Sequence, residues 1–213
     1  MEATGKVWHP EVLSPAEHET IRCLGALESI KNFYLAGGTG LALHIGHRRS
    51  VDLDLFSEQA FDEDSLLADL RPLKSLAVIA KARQTLHLHI CGTKVSFLGY
   101  SYPLLFPFEF FRDFAVADMQ DIACMKLSAL ASRGTRRDFV DLYAIALHYG
   151  LAALLEQFER KFSQVGYNKI HILKSLVFFA DAEKEPMPDM LVPISWEIVK
   201  SFFLREVPTL SRT

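Results

Sequence analysis

The chain has 213 residues, half of them hydrophobic, with 23 Lys and Arg against 26 Asp and Glu for a formal net charge of −3. That length carries one substantial core, or a core plus a smaller helical lobe, and the slightly acidic balance excludes a general nucleic-acid coat or a membrane-surface protein. The three cysteines, Cys23, Cys91 and Cys124, are far apart and form no CxxC pair, which fits a reducing compartment and excludes a disulfide framework and a structural zinc site.

The first residues, "MEATGKVWHP", contain no apolar signal-peptide core, so a non-secreted chain is expected. Ser14, Pro15 and Glu17 are spaced as an N-cap, a first helical residue and a capping-box partner, predicting a helix over 14–31. "NFYLAGG" reads as a short buried strand ending at glycines, and "TGLALHIG" as a helix closed by Gly46. "SVDLDLFS" alternates with period two and predicts a strand; "DEDSLLADLRPL" suits a helix. Three more strands are expected at "SLAVIAKA", "TLHLHI" and "TKVSFLGY", the last two forming a hairpin at Gly92.

The aromatic stretch 102–114, "YPLLFPFEFFRDF" with its neighbours, reads as a packed hinge between two lobes, or as a surface on which bases stack. Beyond it the pattern turns helical: "ADMQDIACMKLSALASRG" and "RRDFVDLYAIALHYG", joined by a turn at Gly134, then helices near 151–164, 168–182 and 195–205 around the proline-rich "EPMPDMLVP". The apolar run "LYAIALHYGLAALL" is interrupted at His148–Gly150 and is too short to span a bilayer. No internal repeat or low-complexity linker interrupts the chain. The expectation is an α/β (α+β) core over residues 1–115, a mixed sheet with flanking helices, followed by a helical C-terminal lobe over 116–213, in a cytoplasmic protein without membrane contact.

Candidate chemistry concentrates in a few places. Asp52 and Asp54 stand two apart on one strand, so both carboxylates leave the same face about 6.6 Å apart along the chain. Such a pair is either a hard oxygen site for magnesium or a solvated acidic face. Gly37, Gly38 and Thr39 lie between strand and helix, where backbone N–H groups can approach a phosphate, although glycine there also serves plain turn geometry. The segment is no P-loop, lacking GK[ST], and no dinucleotide fingerprint, since Leu43 stands where the third glycine belongs. Lys126, Leu130 and Arg133 share a helical stripe. Asp138 and Asp141 follow one turn apart, suited to a site or to pairing with nearby arginines.

The order of "AGGTGLAL", "HRRSVDLDLF" and "MKLSALASRGTRRDFVDLY", with the weaker tail "FFADAEKEPMPDMLVPISWEIVKSFF", resembles the AbiEii/AbiGii toxin family of nucleotidyltransferases, within the DNA polymerase β-like superfamily. The resemblance implies a nucleotidyltransferase fold and transfer of NMP from an NTP to RNA (tRNA) or protein, as the toxin of a type IV toxin–antitoxin or phage-defence pair. It implies Mg2+ (or Mn2+) on Asp52 and Asp54, and triphosphate held by Gly37, Gly38 and Thr39 with Arg49, Ser50, Lys126 and Arg133. Asp138 or Asp141 completes the catalytic set, and a cognate antitoxin is the implied partner. The chain departs from the superfamily pattern at one point: Ser96 occupies the strand position where a third carboxylate is common, and residues 73–108 contain no Asp or Glu. His87 and His89, on one face of "TLHLHI", are alternative bases or ordinary strand residues. A γ-phosphoryl-transferring toxin kinase and a non-catalytic nucleotide-binding module remain the competing readings.

Overall fold

In the computed structural model, which describes residues 6–210, Ser14 caps the first helix, α1 (Pro15–Gly25). The Ser14 hydroxyl accepts from the Glu17 N–H, and the Glu17 carboxylate accepts from the Ser14 N–H. The helix stops short of the expected residue 31. Leu27 is extended, and Glu28–Asn32 forms a separate 3-10 turn. Ile21, Leu24, Leu27 and Ile30 nevertheless all reach the core, so helical spacing of apolar residues survives a break in the backbone near Gly25, a poor helix former.

Seven strands among the described residues make one mixed sheet. They are β1 (Tyr34–Leu35), β2 (Asp52–Ser57), β3 (Ala77–Ala82), β4 (Thr85–Ile90), β5 (Thr93–Gly99), β6 (Glu109–Phe111) and β7 (Phe114–Val116), in the order β3-β4-β5-β2-β1-β7-β6. β2 runs parallel to β5, and β1 to β7; the remaining pairs are antiparallel. Helix α2 (Gly37–Ile45) joins β1 to β2, and α3 (Glu63–Leu70) follows β2. On one face Leu53, Leu55, Leu86, Leu88, Val95 and Phe97 are buried in a core shared with α1 and α3. A fully buried side chain of this size contributes roughly 1.5–3 kcal/mol. Strand periodicity sends Asp52, Asp54, His87, His89, Lys94 and Ser96 to the other face.

The stretch read as a hinge is divided differently. Glu109–Val116 contributes the β6–β7 hairpin, attached to β1 through Leu35 and Val116. The hexapeptide Tyr102–Pro107 belongs to the helical unit, so one unit comprises 1–101 and 108–117, the other 102–107 and 118–213. The hairpin escapes a pattern search because its strands are only three residues long, with Arg112 at φ +54 in the turn.

The second unit contains α4 (Met119–Ser132), α5 (Arg136–Tyr149), α6 (Leu151–Lys161), α7 (Lys169–Ser175) and α8 (Trp196–Leu210). Helices α5 and α6 meet at 106° across Gly150, whose φ is +77. Phe139 packs against Phe179, Trp196 and Phe203. The hexapeptide is tied down by a fully buried ion pair. Asp121 accepts from the N–H groups of Leu105 and Phe106 and from Lys161 Nζ at 2.7 Å, and Lys161 also donates to the Pro103 carbonyl. No single described helix is long and apolar enough to cross a membrane.

Candidate active site

Helix α2 begins against β2 through contacts that only small residues permit. The Ala36 N–H donates to the Asp54 carbonyl at 3.1 Å, and the Thr39 hydroxyl donates to the Asp52 carbonyl. Gly37 has φ +63, and a Cβ placed on it would lie 2.8 Å from Asp54 Oδ2. A Cβ on Gly38 would collide with Arg48 Nη2 and sit 3.2 Å from Ser50 Oγ. The glycines therefore bring a carboxylate and a guanidinium against the start of one helix. Its N-cap, Ala36, offers no capping side chain, which leaves the first-turn N–H groups and the positive end of the helix dipole suited to an anion.

The two carboxylates are half-buried at alternate positions of β2. Among the described residues no cluster of three or more His, Cys, Asp or Glu could hold a metal ion. A pair of carboxylates fits magnesium or manganese taking its other ligands from water and phosphate; it does not make a closed protein cage. Across the sheet, Asp52 is in register with Lys94, and Asp54 with Ser96. One strand further, His89 faces Lys94 and His87 faces Ser96, with His87 Nδ1 3.0 Å from Ser96 Oγ.

A second charged cluster lies in the helical unit. Lys126 Nζ is 3.0 Å from Asp138 Oδ1 and 2.6 Å from Asp141 Oδ2, all three side chains being buried. Arg133 Nε and the Thr135 hydroxyl donate to Asp138 Oδ2, at 3.0 and 2.6 Å, and Thr135 caps α5 by accepting from the Asp138 N–H. Burial alone would raise the Asp138 pKa; the charge of Lys126, with the bonds from Arg133 and Thr135, outweighs it and holds the carboxyl below its ordinary value. Asp138 and Asp141 thus share one lysine, and neither stands alone as the carboxylate of this cluster.

The residues singled out from the sequence fall into two groups. Gly37, Gly38, Thr39, Ser50, Asp52 and Asp54 gather in the first unit; Lys126, Arg133, Asp138 and Asp141 gather in the second. Arg49 is exposed, whereas its neighbour Arg48, not singled out alone, is the buried guanidinium beside Gly38. Two adjacent arginines look alike in a sequence; only the fold of the 46–51 loop separates them. Asp121 and Lys161 were also missed, being 40 positions apart on different helices.

Comparison with known proteins gives concordant matches. The family model described as nucleotidyl transferase AbiEii toxin, type IV TA system, matches residues 22–89 and 100–211. An uncharacterised protein of Aquifex aeolicus (strain VF5) is 36% identical over 201 residues, covering 92% of this chain and 96% of the relative. Among solved structures, MenT4, a nucleotidyltransferase toxin from Mycobacterium tuberculosis H37Rv, superposes with a TM-score of 0.59 at 15% identity, over 93% of this chain and 84% of that one. A candidate nucleotidyltransferase from H. pylori gives 0.50 at 17% identity, over 94% and 98%. At such identities the two structures speak for a shared fold.

Proposed function

This chain belongs to the AbiEii nucleotidyltransferase toxin family, and we propose that it transfers NMP from an NTP to an RNA acceptor, tRNA foremost, or to protein, as the toxin of a toxin–antitoxin or phage-defence pair in the cytoplasm. The observation that carries the site assignment is the pair of close approaches at α2, with Asp54 against Gly37 and Arg48 against Gly38. On this reading the N–H groups of Gly37, Gly38 and Thr39 bind phosphate oxygens, and Arg48 and Ser50 orient them. Exposed Arg49 meets the acceptor's backbone phosphates. Asp52 and Asp54 are the residues that would hold magnesium or manganese, which when bound offsets charge on the phosphates and on the leaving pyrophosphate. The acceptor hydroxyl attacks the α-phosphorus and pyrophosphate departs. Lys126 and Arg133 belong to the proposal as phosphate-binding cations of the second unit, with Asp138 and Asp141 fixing the lysine.

The test is incubation with each α-³²P-labelled NTP and magnesium, with total tRNA and separately with protein, beside an Asp52→Ala/Asp54→Ala variant of unchanged circular dichroism. Label on one acceptor class, absent with the variant, is the expected result. Label that follows the γ-phosphate would instead identify a kinase. Nucleotide binding with no product on any acceptor would identify a binding module.

A further inference from the structure

The attacking hydroxyl must surrender a proton, and a positioned side chain that accepts it accelerates the step. On the face of the sheet that carries Asp52 and Asp54, the candidates are few. The two aspartates are assigned to the cation. Lys94, in register with Asp52, is exposed. His89, in register with Lys94, is exposed. Ser96 and His87 continue the row that starts at Asp54, on three adjacent strands. Neighbouring strands lie about 4.8 Å apart, so the serine is one spacing from Asp54 and the imidazole two. The Ser96 side chain is buried, and its hydroxyl is 3.0 Å from His87 Nδ1. Beyond His87, β3 presents only Ala80 at that register.

The geometry points to a Ser96–His87 proton relay serving the transfer, an assignment that rests on the nucleotidyl-transfer reading above. The acceptor oxygen forms its bond to the α-phosphorus while the bond from that phosphorus to the bridging pyrophosphate oxygen breaks, its electron pair leaving with pyrophosphate. The acceptor's proton passes to Ser96 Oγ as the Ser96 proton passes to His87 Nδ1, whose lone pair is free in the tautomer protonated on Nε2. Ser96 ends unchanged, and the half-exposed imidazolium returns its proton to water. Ser96 meets the reacting hydroxyl; His87 acts through it as a positioning residue and proton store. The arrangement explains how a chain without a carboxylate on β5 can still take up the proton.

The experiment measures α-label transfer to total tRNA or protein, and Mg–ATP affinity by calorimetry, for wild type and for His87→Gln, Ser96→Ala, His89→Gln and the double variant Ser96→Asp/His87→Gln. A relay predicts that kcat falls about 10²–10⁴-fold in His87→Gln and Ser96→Ala, with nucleotide affinity and melting temperature held. His89→Gln should behave as wild type. In the double variant, a carboxylate in register with Asp54 takes the proton itself and recovers transfer that His87→Gln alone has lost. Wild-type kcat in His87→Gln, an equal loss in His89→Gln, a loss of nucleotide binding and stability together with activity, or no recovery in the double variant would each overturn the relay and leave the transfer reading standing. A wild type that binds Mg–ATP but labels no acceptor would overturn both.

Discussion

At the scale of single residues, the informative groups are those whose charge is buried. Lys126 serves two carboxylates at once, so Lys126→Met leaves Asp138 and Asp141 without their ammonium in a dry setting. The expected loss is about 3–5 kcal/mol in urea unfolding at pH 7, shrinking when Asp138→Asn and Asp141→Asn are added. His44 behaves oppositely. Its Nε2 donates to the Ala117 carbonyl at 2.7 Å and its Nδ1 is buried without a hydrogen bond; burial drives its pKa down to about 4. The unfolded chain therefore takes up this proton first. The stability His44 confers is full above about pH 6.5, declines as pH falls, and is spent near pH 4. Over that window the loss is on the order of 3 kcal/mol, and His44→Gln should flatten that part of the stability–pH curve. The depressed Asp138 carboxyl acts in the same direction at lower pH, below its unfolded value near 3.8. Of these groups the sequence exposed Lys126, Asp138 and Asp141, through their helical spacing. It hid His44, whose partner is a backbone carbonyl 73 positions away.

At the scale of elements, the parts written in local chemistry were legible. The Ser14 box, the closing Gly46 at φ +62 and the alternation of Asp52–Ser57 each depend on neighbours within a few residues. What failed left no such clear pattern: the end of α1 at Gly25, the brevity of α7 against an expected 168–182, and the three-residue strands of the hairpin at Glu109–Val116. The α5–α6 corner is local again, since the chain turns 106° where Gly150 takes φ +77 and ψ 142. A Cβ at Gly150 would meet nothing within 4 Å. Gly150→Ala should therefore cost about 1–3 kcal/mol from backbone strain alone, read by thermal melting, with no change in nucleotide affinity. A larger loss, or an altered helix content, would mean that the corner does more than turn the chain.

At the scale of the whole molecule, the sequence suggested a single boundary near residue 115, whereas the chain passes from one unit to the other at 101/102, 107/108 and 117/118. Composition reveals a change from α/β to helical character but cannot show that six residues inside the α/β stretch are held by Asp121 and Lys161. A fragment of residues 102–213 should accordingly unfold at higher urea than one of 118–213, which keeps the buried ion pair but strips it of the Pro103 carbonyl and the Leu105 and Phe106 N–H groups. Equal midpoints would show the hexapeptide to be passive. The same triple crossing bears on how such proteins diversify. A single recombination event joining the front of one relative to the back of another, anywhere from 107 to 118, would graft a foreign hexapeptide onto a resident carboxylate and lysine. Because the hexapeptide meets that pair through three backbone groups, two N–H and one carbonyl, such a graft holds only where the incoming segment presents them in the same places.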